Sequence, residues 1–239
     1  MPGIAPIALP AAYILASMTA CPQMPPATVD IRLTSSEPAL ITNMTTAEMT
    51  RGFANNPDST LSTEPGWVVG GLTLAPIEGQ YSVQMNQERF SDATTCLGVE
   101  EVDVDLVYTP EIYIASDYLN RKCQYTVTLA HEQRHVGTDL KTINDFSPEI
   151  KRRIQEYVDG LGVVGPMNAD EAQQAADTIV QQVRDAASPI VDDLIAERRK
   201  RQAVFDTQAN YEKEDALCPR GENGEDPGYN GDDSNGDNQ

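Results

Sequence analysis

The chain has few basic groups, only two histidines, four cysteines and no unbroken apolar run that spans a bilayer. Its 239 residues include 17 lysines and arginines against 37 aspartates and glutamates, a formal net charge of −20. That balance repels nucleic acid and anionic membrane surfaces and disfavours a highly acidic substrate. The cysteines (Cys21, Cys96, Cys123 and Cys218) contain no CxxC spacing, which argues against a zinc ribbon or a thioredoxin-type pair. The first apolar stretch is broken by Pro6 and Pro10 and does not read as a membrane-spanning helix.

The residues that are present divide the chain into three parts. Residues 1–20 carry no charge, have an apolar centre at 11–16 and place small residues before Cys21. This pattern predicts an export signal of the lipoprotein type, removed on export, with Cys21 acylated and the protein in the periplasm, anchored to the outer membrane or secreted. No lysine or arginine precedes the apolar run, and Met18 stands where such signals usually carry leucine. At the other end, residues 219–239 hold six carboxylates among glycine and asparagine, without the DxDG-like spacing of a calcium loop. They are expected to form a disordered tail. Residues 21–218 are left as one domain, acting as a monomer. Cys96 and Cys123 flank a predicted strand pair, and a disulfide between them would contribute about 3 kcal/mol on the chain-entropy model. Cys218 would then be free, or would pair with an unacylated Cys21.

The domain has two regimes of periodicity. Residues 28–119 alternate with period two, at 29–33, 67–69, 81–85, 102–107 and 112–114, separated by turn signals at Asn56-Pro57, Glu64-Pro65-Gly66, Glu78-Gly79 and Thr109-Pro110. These are strands of a small antiparallel or mixed sheet. Asp103 and Asp105 alternate on its outer face as solvated charges. From Tyr125 the spacing becomes helical. One helix is predicted over 125–143, and a second over 147–158 with Ser147 as cap and Pro148 at its first position. A long amphipathic region over 168–208 comes next, which Pro189 divides or kinks. Its apolar stripe (Ala172, Ala175, Ile179, Val183, Ile190, Leu194) suits docking onto the sheet. Strands first and helices second make an α+β fold.

Both histidines lie in one pentapeptide, His131-Glu132-Gln133-Arg134-His135. At i and i+4 on a helix, two imidazoles stand about 40° apart and one turn along the axis, so both reach one zinc ion. Glu132 is then placed to take a proton from a water that zinc activates. A catalytic zinc needs a third protein ligand. Asp206 is the first choice, with Glu212, Glu197 and Asp139 as alternatives. Asp139 lies about 6 Å further along an unbroken helix and would need a bend at Gly137. Tyr211 and Tyr118 are candidate donors to a developing oxyanion. Residues 112–118 are a candidate edge strand for pairing with an extended peptide. Arg134 is expected in a surface salt bridge.

The strings Ile112-Tyr113-Ile114-Ala115-Ser116-Asp117-Tyr118, Cys123-Gln124-Tyr125 and Leu129 through Val136 resemble the strand, Cys and HEQxH segment of the secreted zinc-dependent proteases of the DUF922 family. Residues 205–212 are similar to that family's C-terminal Tyr-Asp-x-x-Thr-x-His-Gly stretch. Here Ala209 replaces the threonine, and Asn210-Tyr211-Glu212 replaces the x-His-Gly end of the stretch. The resemblance covers residues 102–212 and implies a zincin-like fold and a peptidase.

The functional expectation is a zinc metallopeptidase of the cell envelope. Its substrate would be polypeptide or the peptide portion of peptidoglycan, with attachment through a lipidated Cys21. The alternative is an envelope binding or assembly protein whose zinc site is structural. A non-peptidase amide hydrolase is compatible with the same residues.

Overall fold

The computed structural model describes residues 20–53, 68–90 and 93–218. The export segment up to residue 19, the tail from 219, Trp67 and the turns expected at 56–57 and 64–66 lie outside the described residues. In chain order the elements are β1 (Thr28–Ser35), β2 (Ala39–Ile41), α1 (Thr46–Phe53), β3 (Gly71–Leu74), β4 (Ile77–Arg89), β5 (Thr95–Tyr108), β6 (Glu111–Ile114), a 3₁₀ turn (Ser116–Tyr118), α2 (Lys122–Leu161), β7 (Val164–Met167), α3 (Ala169–Gln202) and α4 (Gln208–Asp215). The fold is α+β. No helix among the described residues is long and apolar enough to cross a membrane.

β5 organises the larger sheet. It pairs in parallel with β1 and antiparallel with β4, while β7 joins it antiparallel at its start. Its alternation buries Val102, Val104, Leu106 and Tyr108 on one face. Against that face packs a stripe from α2 (Val136, Ile143, Ile150, Ile154, Val158) and one from α3 (Ile179, Val183, Ile190, Leu194). The smaller sheet has the order β2-β6-β3, with β2 parallel and β3 antiparallel to β6. Glu78-Gly79 is not a turn but part of β4. A side chain at Gly79 would collide with the Tyr81 hydroxyl, which lies over that position at 2.7 Å. The strand expected at 67–69 lies further along, at Gly71–Leu74.

The helices differ most from expectation. α2 is a single 40-residue helix that contains Pro148, where a break is predicted. Ser147 does not cap a new helix; its hydroxyl donates to the Ile143 carbonyl at 2.7 Å, one turn back. Proline inside a helix costs about 3 kcal/mol. Burying Ile143, Ile150 and Ile154 on the sheet contributes roughly 1.5–3 kcal/mol for each side chain, and that stripe exists only if the helix runs through. Pro189 is carried within α3 in the same way, between buried Ala187 and Ile190. α3 starts from a capping box of Asn168 and Glu171 and ends at Gln202, short of the predicted 208. The next five residues leave the helical path and carry Asp206 toward α2.

The disulfide expected between Cys96 and Cys123 is absent. Cys21 bonds to Cys96, and Cys123 bonds to Cys218. α2 runs antiparallel to β5: Gln155 donates to the Ala27 carbonyl, beside the Thr28–Glu101 register pair, while Asp139 meets Tyr108 at the strand's far end. Cys96 and Cys123 therefore sit at opposite ends of a 14-residue strand, roughly 45 Å long. A sulfur bonded to Cys96 carries no thioether, so this pairing and acylation of Cys21 exclude one another.

Candidate metal centre

His131, Glu132, His135 and Asp139 are all buried on the inner side of α2. His131 and His135 turn their Nε2 atoms toward each other, 2.9 Å apart. Their Nδ1 atoms face acceptors. His131 Nδ1 lies 2.9 Å from Glu214 Oε2, and His135 Nδ1 is hydrogen-bonded to Gln202 Oε1. A carboxylate and an amide oxygen can only accept, so each Nδ1 donates, and in the neutral ring each Nε2 presents a lone pair.

The third group arrives on the segment that leaves α3. Thr207 caps α4 by accepting from the Asn210 backbone, and the Asn210 side chain donates to the Val204 and Phe205 carbonyls, which closes a tight turn around Asp206. The far end of this segment is tied to the first turn of α2 by the Cys123–Cys218 disulfide. Tyr211 stacks on the His131 ring at 5.2 Å and donates to Asp206 Oδ1 at 3.0 Å; Phe205 packs edge-on against His135 at 5.8 Å. Asp206 Oδ1 thereby comes to rest 3.2 Å from His131 Nε2 and 3.0 Å from His135 Nε2.

Two lone pairs and a carboxylate oxygen thus form a triangle with edges of 2.9, 3.0 and 3.2 Å. Such a set repels itself unless positive charge sits among its members. A tetrahedral zinc with bonds of about 2.0–2.1 Å holds its ligand atoms about 3.3–3.4 Å apart, so the donor set fits one face of that tetrahedron. Burial alone would lower the His131 and His135 pKa values, but the Asp206 carboxylate, with Glu132 close by, overrides it. Both are raised, that of His135 to about 9. The centre favours a cation.

Glu132 stands beside this triangle. Its Oε2 accepts from the Thr73 hydroxyl of β3 at 2.8 Å, and a side chain at Gly71 would lie 2.6 Å from its Oε1. The close approach of β3 to α2 therefore requires glycine at that position. Burial raises the Glu132 pKa despite the two rings and Thr73, which pull it down. A carboxyl shifted toward neutrality is suited to taking and returning a proton.

Of the candidate third ligands, Asp206 alone joins the histidines among the described residues. Asp139 lies behind His135, bound to Tyr108, Arg198 and Gln202. Glu197 pairs with Arg201 and Lys200 on the outside of α3, and Glu212 is exposed on α4, hydrogen-bonded to Gln208. Arg134 pairs with Glu214 at 3.0 Å, with nearly half its side chain in solvent. Tyr118 packs into the core, where Gly70 leaves room for its ring. Residues 112–118 are not an edge strand: β6 is the middle strand of its sheet, flanked by β2 and β3. The strand beside Glu132 that lies at a sheet edge is β3. Asp103 and Asp105 are held by Arg32. Glu214, Gln202 and Thr73 escape sequence reasoning, because nothing in their spacing connects them to the histidines.

No family model matches the chain, and no curated protein or solved structure matches it. The likeness to the DUF922 family thus gains no support as a specific assignment. The coarser statement stands: an α+β fold with a buried, zincin-like His131/His135/Asp206 cluster able to coordinate a metal, and Glu132 next to it.

Proposed function

We propose that the protein is an exported zinc-dependent metallopeptidase that hydrolyses peptide bonds in polypeptide or in the peptide portion of peptidoglycan. The observation that carries this reading is the convergence of three donor atoms from His131, His135 and Asp206 beside a buried carboxylate. Three protein ligands are the number found at catalytic zinc sites, which keep a fourth position for water or substrate, whereas structural sites close all four. The cluster brings together three metal-ligating groups among the described residues, which favours the hydrolytic reading over a structural pin.

When bound, zinc supplies Lewis acidity that lowers the pKa of water and polarises the scissile carbonyl. His131, His135 and Asp206 would hold it. Glu132 would receive the proton of the attacking water and return it to the leaving amine, with its carboxylate held by the hydrogen bond from Thr73. In this reading the Tyr211 hydroxyl, whose one hydrogen goes to Asp206 Oδ1 in the metal-free protein, would exchange that bond for one to the developing oxyanion. Two disulfides support residence in an oxidising compartment outside the cytosol.

The test is Glu132→Gln in the zinc-loaded protein, assayed on a peptide library and on peptidoglycan stem peptides. The substitution is expected to retain zinc and to remove hydrolysis. Hydrolysis at the wild-type rate would overturn the role of Glu132. Zinc binding by a wild-type protein that cleaves neither substrate class would favour the structural reading.

A further inference from the structure

α2 and α3 lie antiparallel, and two pairs of residues, each one turn apart, face each other across them. His135 and Asp139 stand on α2; Arg198 and Gln202 stand on α3. Asp139 is fully buried. Its Oδ1 accepts from Arg198 Nε at 2.8 Å and from Gln202 Nε2, and its Oδ2 accepts from the Tyr108 hydroxyl at 3.0 Å. Gln202 Nε2 also donates to the His135 backbone carbonyl at 3.0 Å. Both hydrogens of that amide are therefore committed, and Oε1 is left facing His135 Nδ1.

An isolated glutamine amide can turn over and offer either end to a histidine. Here the reversed amide would set Oε1 against the Asp139 carboxylate and the His135 carbonyl, acceptor against acceptor, in a buried site where each unsatisfied group is costly. Asp139 thus determines which way Gln202 points, and Gln202 determines which ring nitrogen of His135 carries hydrogen. We infer that Asp139 and Gln202 form a tautomer lock: Gln202 is a positioning residue for a metal ligand, and Asp139 touches neither the ring nor the metal position yet keeps Nε2 of the neutral His135 ring free of hydrogen. The inference rests on the reading of the cluster as a metal site, but the lock itself is a property of the metal-free protein.

The chain's two histidines make it directly observable. Long-range ¹H–¹⁵N correlation on ¹⁵N-histidine-labelled, zinc-free protein, recorded above about pH 9 where the His135 ring is neutral, reports the tautomer of each ring, and competition with a chromophoric chelator reports zinc affinity. Wild-type His135 is expected in the Nδ1–H form. Asp139→Leu removes the acceptor that holds the amide at 202, and Gln202→Leu removes the acceptor that faces His135. Each is expected to give mixed His135 tautomers and to weaken zinc binding about 10- to 100-fold.

Gln202→Met keeps the length and bulk of the side chain and removes only its amide. It is expected to give the same mixed tautomers and weakened affinity as Gln202→Leu, a loss that a purely packing role would not give. The inference is overturned if Gln202→Leu or Gln202→Met leaves tautomer and affinity as in wild type. These two variants decide the matter if Asp139→Leu does not fold. A wild-type protein that shows the Nδ1–H form but binds no zinc would sustain the lock and refute the metal reading.

Discussion

Glu214 Oε2 stands 2.9 Å from His131 Nδ1, joining a short C-terminal helix to the helix of the metal cluster across 83 residues of chain. The same carboxylate binds Arg134 through its other oxygen at 3.0 Å. It therefore fixes the ring from behind while its own charge is balanced. Replacing it should loosen His131 without touching the metal position. Glu214→Ala is expected to reduce zinc affinity about 10-fold or more, and Glu214→Gln, which still offers an oxygen, by less. Chelator competition on the two variants measures the difference.

The two disulfides should separate by function. Cys123–Cys218 tethers the segment that carries Asp206, Tyr211 and Glu214, whereas Cys21–Cys96 lies at the opposite end of β5. Replacing both Cys123 and Cys218 with serine should weaken zinc binding as well as lower the melting temperature. The matching Cys21/Cys96 variant should lower the melting temperature and leave zinc affinity within about threefold of wild type, since it moves none of the groups that hold the metal-binding rings. Equal effects of the two pairs on zinc affinity would contradict the tether.

The raised pKa of His135 gives a pH dependence with a definite sign. In the metal-free protein the ring, with its pKa at about 9 against an ordinary 6.5, contributes stability that is fully present below about pH 6.5 and is lost as the pH rises through about 9. Zinc must displace that proton, so its affinity should rise with pH over the same interval. Thermal melts in chelator across this range should fall with pH, and melts with zinc should not.

Tyr211 tests whether the site is catalytic or merely a binding site. Its hydroxyl donates to Asp206 Oδ1 and its ring covers His131. Tyr211→Phe keeps the ring. Zinc affinity is expected to change less than about 10-fold, while kcat falls about 10²- to 10³-fold, the range for loss of an oxyanion donor. A fall confined to zinc affinity would make Tyr211 a support for the ligand alone.

Some of this was legible in the residue order. The alternation of Val102, Val104 and Leu106 marks β5, and the single pentapeptide holding both histidines marks the centre, because helical geometry alone brings i and i+4 together. Asp206 could be reached only as one choice among several carboxylates in a chain of many. Its selection depends on where α3 stops and how Thr207 and Asn210 shape the turn after it. The expected break at Pro148 reflects local cost, which the long apolar stripe on the sheet outweighs. The expected cysteine pairing rested on sequence proximity, whereas the true partners are set by the opposed directions of β5 and α2. Glu214 and Gln202 were out of reach, since a carboxylate or an amide behind a ligand leaves no spacing signal.

The central claim, that His131, His135 and Asp206 hold one divalent ion, is tested most directly by anomalous diffraction at the zinc edge from crystals of the zinc-loaded protein. The account predicts a single peak bonded to both Nε2 atoms and to an Asp206 carboxylate oxygen, with no fourth protein ligand. A peak elsewhere, or coordination that leaves out Asp206 or is closed by a further side chain, would contradict it.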